Sequence, residues 1–234
     1  MLLDQTLAVV TGASQGIGLA LSKQLVAAGA VVAGVARSAD DLARVADRLG
    51  DRFRPTPADV SDADAIQDAI DEVAAERGRL DVLVNNAGLG RFGPVDALDL
   101  EAWRAQIDVN LSGAFYATRA AVPHMKRAGR GHIVHVGSIA GHVGNAELSA
   151  YNASKFGLRG FADATMKELR PHGIKTTYLA PGSVATDFGA KDGRASNPNA
   201  MPPEAVAAAI VHALQTPDST LISEIVMRPM QTKG

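Results

Sequence analysis

The chain has 234 residues, 47% of them hydrophobic and 21% charged, with a formal net charge of −2. That length suits one α/β domain able to bury most of the surface its unfolded form exposes. The near-neutral charge, with basic residues scattered, excludes a phosphate-tracking stripe for nucleic acid or for an acidic membrane. Cysteine is absent, which excludes disulfides, thiolate nucleophiles and sulfur-ligated metals. The six histidines pair with no carboxylates in a metal-binding spacing, so no metal is expected. The first six residues carry no basic segment leading into an apolar core, and no apolar run approaches the roughly 20 residues of a membrane helix. A cytoplasmic protein is the expectation.

Short apolar runs alternate with longer amphipathic stretches. Residues 7–10 read as a strand, followed by Ile17, Leu21 and Leu25 at helical spacing. Residues 31–36 are almost wholly apolar, as in a strand buried on both faces. A helix over 39–49 puts Leu42, Val45, Ala46 and Leu49 on one side. Pro55 and Pro57 make 52–58 an edge or ragged strand. A helix over 62–77 and a strand over 81–85 come next. The spacing then predicts one long helix over 100–127, bent before Pro123. A strand over 132–136, a helix over 150–170, a strand over 174–179, a helix over 202–215 and a strand over 221–227 complete the pattern. Residues 231–234 read as a frayed tail. Alternation of this kind predicts an α/β fold: a doubly wound, Rossmann-type parallel sheet of about seven strands flanked by helices, in a single domain over 1–234 with its core at 7–229. Residues 187–203, rich in Gly, Asn, Asp and Pro, stand apart as a long loop, either functional or disordered.

The first strand runs into Thr11-Gly12-Ala13-Ser14-Gln15-Gly16-Ile17-Gly18. A tight turn at Gly12, backbone approach at Gly16 and close helix packing at Gly18 would leave free N–H groups at a helix start, which favours a phosphate. Gly12, Ser14, Gln15, Gly16, Ile17 and Gly18 are therefore candidate dinucleotide-binding residues. At the end of the second strand stands Arg37-Ser38, where an acid would serve a free ribose hydroxyl. A guanidinium there suits a 2′-phosphate, which favours NADP(H) over NAD(H). Gln15 is not basic, so that preference is expected to be moderate.

Tyr151 and Lys155 lie four apart, on one face of a helix. An adjacent ammonium favours the phenolate, so Tyr151 is expected to have a lowered pKa and to exchange a proton with a carbonyl or alcohol oxygen. Ser138, just past the fifth strand, is placed to hold the same oxygen.

With these motifs in register, the chain resembles the short-chain dehydrogenase/reductase family from about residue 7 to 229. Thr11, Gly12, Gly16 and Gly18 match its glycine loop. Asn85-Asn86-Ala87-Gly88 matches its Asn-Asn-Ala-Gly turn, and Asn110, Ser138, Tyr151 and Lys155 match its catalytic tetrad. Pro181-Gly182 matches the turn beside the nicotinamide. The resemblance implies a hydride transfer between NADP(H) and a small carbonyl or alcohol. Tyr151 would be the general acid/base, Lys155 the ribose ligand and Ser138 the carbonyl ligand, with Asn110 linking Lys155 to a water chain. It also implies that Asp59 contacts the adenine (or caps the next helix), with Val60 stacking nearby. Asn86, Ala87 and Gly88 would pass close to the cofactor while Asn85 braces the sheet. Pro181, Gly182, Val184 and Thr186 would flank the nicotinamide, Thr186 bonding its carboxamide.

Leu89, Arg91 and Phe92 are expected at the pocket mouth. His142 is the histidine nearest to it and could contact a polar substrate, though a structural role is the plainer reading. The 187–203 segment would be a substrate lid with Gly189 and Gly193 as hinges, too short for a sterol-sized pocket. A homotetramer or homodimer would pack helices 100–127 and 150–170 against a partner, with Ala114, Ala117, Ala120 and Ala121 permitting close approach. The nearest alternative activity is reduction of a 3-oxoacyl group on an acyl carrier protein. A non-catalytic NADP(H)-binding redox sensor is the alternative of another class.

Overall fold

The computed structural model describes residues 1–188 and 197–231. Seven strands form one sheet: β1 (Leu7–Thr11), β2 (Val31–Ala36), β3 (Phe53–Pro57), β4 (Val82–Asn85), β5 (Gly131–Val136), β6 (Ile174–Pro181) and β7 (Glu224–Met227). Their order is β3-β2-β1-β4-β5-β6-β7 and every pairing is parallel. The helices are α1 (Gly16–Ala27), α2 (Ala39–Leu49), α3 (Ala63–Ala75), α4 (Leu100–Ile107), α5 (Gly113–Ala128), α6 (Ser149–Leu169) and α7 (Pro203–Gln215).

β1 shows why a central strand is apolar from Leu7 to Val10. Ala8 and Val10 join a core with Leu21, Leu25, Leu42 and Ile210 from α1, α2 and α7. Leu7 and Val9 join a second core on the opposite face, with Ile66, Ile70, Ala117 and Met125 from α3 and α5. A strand covered on both sides has no polar face to alternate. The edge positions go to β3, which carries Pro55 and Pro57, and to β7, whose residues are at least partly exposed. The strand order reverses direction between β1 and β4. The loops that follow these two strands therefore splay apart and open a crevice at the carboxyl ends of the sheet.

The long helix expected over 100–127 is broken, but not at Pro123, which lies inside α5. A π-helical turn, Asp108–Ser112, separates α4 from α5 and carries Asn110 at its centre. Such bulges insert one residue per turn and redirect a side chain without ending the helix. Ala114, Ala117, Ala120 and Ala121 are buried within this chain, three of them against the second core. Small residues there let α5 lie close to its own sheet, which corrects their assignment to a partner surface. The large hydrophobic side chains exposed on α5 and α6 are Phe115 and Phe156, with Trp103 exposed on α4. Ser38 caps α2, its hydroxyl accepting from the Asp41 N–H. Asp62 caps α3 through the N–H groups of Asp64 and Ala65, so the cap weighed for Asp59 falls to its neighbour three residues on. Among the described residues no helix is long and apolar enough to cross a membrane.

Candidate active site

A cleft of about 1600 Å³ runs along the carboxyl ends of the strands, lined by residues from the loops after β1, β2, β3, β4, β5 and β6. At one end it is bounded by Gly12, Ser14, Gln15, Gly16 and Ile17, with Arg37, Ser38, Asp59 and Val60 beyond. Gln15, at the N-cap of α1, makes no side-chain capping bond, so the helix presents its first N–H groups to the cleft. Gly12 has a φ of +66°, which favours glycine. Gly18 lies beneath the cleft instead of lining it. A Cβ there would sit 2.2 Å from the Gly12 carbonyl oxygen and 2.6 Å from the Asn86 side-chain nitrogen. The third glycine is thus required by the loop folded over the helix.

Thr11 and Asn86 lock that loop to the turn after β4. The Thr11 hydroxyl accepts from the N–H groups of Asn86 and Ala87 at 3.0 Å each. The Asn86 amide donates back to the carbonyls of Thr11 at 2.8 Å and Gly12 at 3.2 Å. Asn85 turns the other way and donates to Thr118 at 3.0 Å, next to His135. This is the sheet-bracing role expected of it. Asp59 faces the cleft and accepts from the Ser61 N–H and hydroxyl at 2.9 and 2.7 Å. Burial works to raise its carboxyl, but the Ser61 hydrogen bonds and the Arg37 charge outweigh it and hold Asp59 below the usual carboxylate range.

At the other end Ser138, Tyr151 and Lys155 converge with Pro181, Gly182, Val184 and Thr186. The buried Lys155 ammonium donates to the Val136 carbonyl at 3.1 Å and lies 5.7 Å from the Tyr151 ring centroid. Burial pushes that ammonium down to about 8. Burial likewise pushes the Tyr151 phenol up to about 12, with a hydrogen bond from Ser138 opposing the rise and Tyr178 adding to it. This corrects the lowered phenol expected from the Tyr–Lys spacing. The ammonium is aimed at a backbone carbonyl, and burial sets the direction of the shift. Ser138 caps a short 3-10 turn, its oxygen accepting from the Ala140 N–H at 3.1 Å.

Asn110 is buried and does not line the cleft. Its amide oxygen accepts from the Leu89 N–H at 2.8 Å. Its nitrogen donates to the Leu89 carbonyl at 2.9 Å and to the Ser154 hydroxyl at 3.0 Å. It joins the loop after β4 to the helix that bears Tyr151 and Lys155.

Leu89 and Phe92 line the cleft but Arg91 does not: Gln106 grips the Arg91 backbone N–H and carbonyl, and the residue is exposed. His142 also lies outside the lining, paired with Glu224 at 2.7 Å, which removes it as a substrate ligand. His132 and His135 are buried and pushed down to about 3, chiefly by desolvation, so both are neutral. Gly189 and Gly193, the expected hinges, lie outside the described residues. The far side of the 187–203 segment is fixed by a bridge between Val184 and Met201, and Asp187, Phe188, Asn197 and Ala200 reach the cleft.

Sequence reasoning missed three supporting side chains. Gln106 is fully buried, four residues before Asn110. Asn152 donates to the carbonyls of Ala140 and Val143 at 2.6 and 2.8 Å and accepts from the Asn145 N–H, holding the Ser138 loop to α6. The Tyr178 hydroxyl touches the Ser138 backbone on both its N–H and carbonyl sides. A polar residue inside an apolar helical face is the signal that marks Gln106. Asn152 shares the Tyr151–Lys155 motif, and nothing in the sequence singles out Tyr178.

The short chain dehydrogenase family model matches residues 6–197. The chain belongs to the short-chain dehydrogenase/reductase family. Among curated relatives of this family, a 3-oxoacyl-(acyl-carrier-protein) reductase of Salmonella typhimurium is 36% identical over 188 residues, 80% of this chain and 77% of its own. A metagenomic short-chain oxidoreductase solved in complex with NADP superposes with a TM-score of 0.87 at 37% identity, covering 99% of this chain and 100% of that one. A serine dehydrogenase complexed with NADP+ superposes with a TM-score of 0.91 at 31% identity, covering 95% and 94%. The chain is accordingly an oxidoreductase of this family.

Proposed function

We propose that this protein is an NADP(H)-dependent carbonyl reductase or alcohol dehydrogenase acting in the cytoplasm on a small substrate. The observation that carries the reading is one continuous cleft with the uncapped α1 start and Arg37 at one end and Ser138, Tyr151 and Lys155 at the other. The residues fit the cofactor: the uncapped start of α1 lines one end of the cleft, where its N–H groups would suit the phosphates, and the Arg37 guanidinium beside it would suit a 2′-phosphate. The bound cofactor supplies or takes the hydride. Arg37 would hold the 2′-phosphate, with the Ser38 hydroxyl beside it, and Asp59 and Val60 would hold the adenine. Asn86, Ala87, Gly88, Pro181, Gly182, Val184 and Thr186 form the remaining wall.

Tyr151 is protonated at neutral pH and donates to the carbonyl oxygen, which Ser138 orients by a second hydrogen bond. Lys155 would hold the nicotinamide ribose, and its ammonium would stabilise the phenolate left behind. Asn110 fixes Leu89 and Ser154 beside Lys155, and reprotonation passes this cluster through water. The Asp187 side of the cleft serves as the lid. The exposed Phe115 and Phe156 support packing of α5 and α6 against a second copy, as a dimer or tetramer.

Initial rates with NADPH and NADH over aldehydes, diketones and β-keto esters test the reading. Turnover preferring NADPH is expected, and turnover preferring NADH would remove the Arg37 assignment. A second reading, reduction of a 3-oxoacyl carrier thioester, is favoured by the likeness to the Salmonella reductase. The complete Ser138–Tyr151–Lys155 set supports an enzyme over a sensor that only binds the dinucleotide.

A further inference from the structure

Three aromatic rings meet at the substrate end of the cleft. The Phe92 ring stands edge-on to Tyr151, with centroids 5.9 Å apart and an interplanar angle of 83°. The Phe188 ring lies on Tyr151 at 5.6 Å and 55°. Both approach Gly90: a Cβ there would sit 2.4 Å from the Phe92 ring and 3.0 Å from the Phe188 ring. Leu89 and Leu148 line the same end. Among the described residues lining the cleft, Lys155 is the cation at this end, and it is directed at the Val136 carbonyl. Asn145 is held by two hydrogen bonds within its own loop and to α6.

We propose that Phe92 and Phe188 are specificity-determining residues that select carbonyl substrates bearing an uncharged aryl group next to the reacting carbon. This rests on the oxidoreductase reading above. The carbonyl oxygen must meet the Tyr151 hydroxyl, so the carbonyl substituents are carried against the rings that flank Tyr151. Those rings offer apolar faces and edges, which an aryl group matches by edge-to-face or offset contact and a carboxylate does not. A short alkyl group fills less of the same wall, and a charged group loses its water there without a partner. In the step itself the carbonyl carbon gains a hydride from the reduced nicotinamide and its oxygen gains the Tyr151 proton. The products are the secondary alcohol and oxidised cofactor, and Tyr151 recovers a proton from solvent. Gly90 permits the arrangement by leaving room for both rings.

The test compares ethyl benzoylformate with ethyl pyruvate, neutral keto esters that differ by phenyl for methyl, together with free pyruvate. Rates are measured by NADPH consumption on the purified protein and on Phe92→Ala, Phe92→Leu and Phe188→Ala. NADPH binding is followed separately by its fluorescence. The expected kcat/KM ratio of phenyl to methyl ester is about tenfold or more, falling about three- to tenfold in each variant, as loss of an aromatic contact implies. NADPH affinity should not move. If Phe92→Ala fails to fold, Phe92→Leu and the exposed Phe188→Ala decide. A ratio at or below unity, a preference for pyruvate, or a ratio unchanged in the folded variants overturns the proposal. No turnover of either ester also overturns it; NADPH binding that persists then leaves the cofactor reading standing, and loss of binding removes both.

Discussion

Replacing Lys155 by methionine would separate the cost of the site from its use. The side chain is buried and its ammonium is pushed from 10.5 down to about 8. At about 1.4 kcal/mol per pH unit, holding that charge in the folded protein at neutral pH costs about 3 kcal/mol relative to the unfolded chain. Methionine keeps the apolar stem and removes the charge. It also leaves the Val136 carbonyl without the donor now 3.1 Å away, a loss of about 1–3 kcal/mol. The balance predicts a variant more stable at pH 7 by about 1 kcal/mol, with a Tm higher by about 2–4 °C.

Stability against pH gives the sharper signature. The folded lysine loses its proton near 8 while the unfolded one keeps it to 10.5. The unfolded state therefore binds more protons between those values, and wild-type stability rises with pH across that window. The methionine variant lacks this rise, so its advantage shrinks from pH 8 upward. Urea unfolding at intervals from pH 7 to about 10 measures both curves. The reductase kcat should fall by about 100-fold or more. A variant no more stable than wild type at pH 7, with a parallel pH profile, would refute the claim that the ammonium is desolvated.

Tyr151→Phe should lower kcat by about 100-fold or more while NADPH affinity, read by fluorescence titration, changes little. Because the phenol stays protonated to about 12, the reduction rate should fall as pH passes about 8, where Lys155 loses its proton. A rate flat from pH 7 to about 9 would count against that role for Lys155. Gly18→Ala, with its Cβ driven against the Gly12 carbonyl, should cost about 1–3 kcal/mol in urea unfolding and weaken NADPH binding. Gly144→Ala, which meets nothing within 4 Å, should stay within about 0.5 kcal/mol. Arg37→Gln should weaken NADPH binding by about 10- to 100-fold and leave NADH unchanged, with equal losses for both cofactors speaking against a 2′-phosphate contact.

Much of the fold could be read from local pattern because a doubly wound sheet repeats one rule. β1, β2 and β4 are apolar along nearly all their length, and the covering helices turn apolar residues toward them. Pro55 and Pro57 identified the edge strand because proline lacks the donor a central strand needs. The failures are equally specific. The helical period over 100–127 carries no mark of a π-turn, since one inserted residue changes the phase and not the composition. The alanines of α5 read as a surface for a partner, because a small residue reports close approach without saying to what.

At the site, the sequence determined which chemical groups are present and in what order: a glycine loop, an arginine without an acid, and a phenol and ammonium on one helical face. Those follow from residue type and from spacing within single elements. Only the tertiary structure decided what surrounds them. It showed Lys155 turned to Val136, the Tyr151 phenol raised instead of lowered, and His142 held by Glu224 on β7. It also carried Phe188 across to meet Phe92 and Tyr151. Desolvation and contact depend on atoms brought together from distant parts of the chain, and no local spacing encodes them.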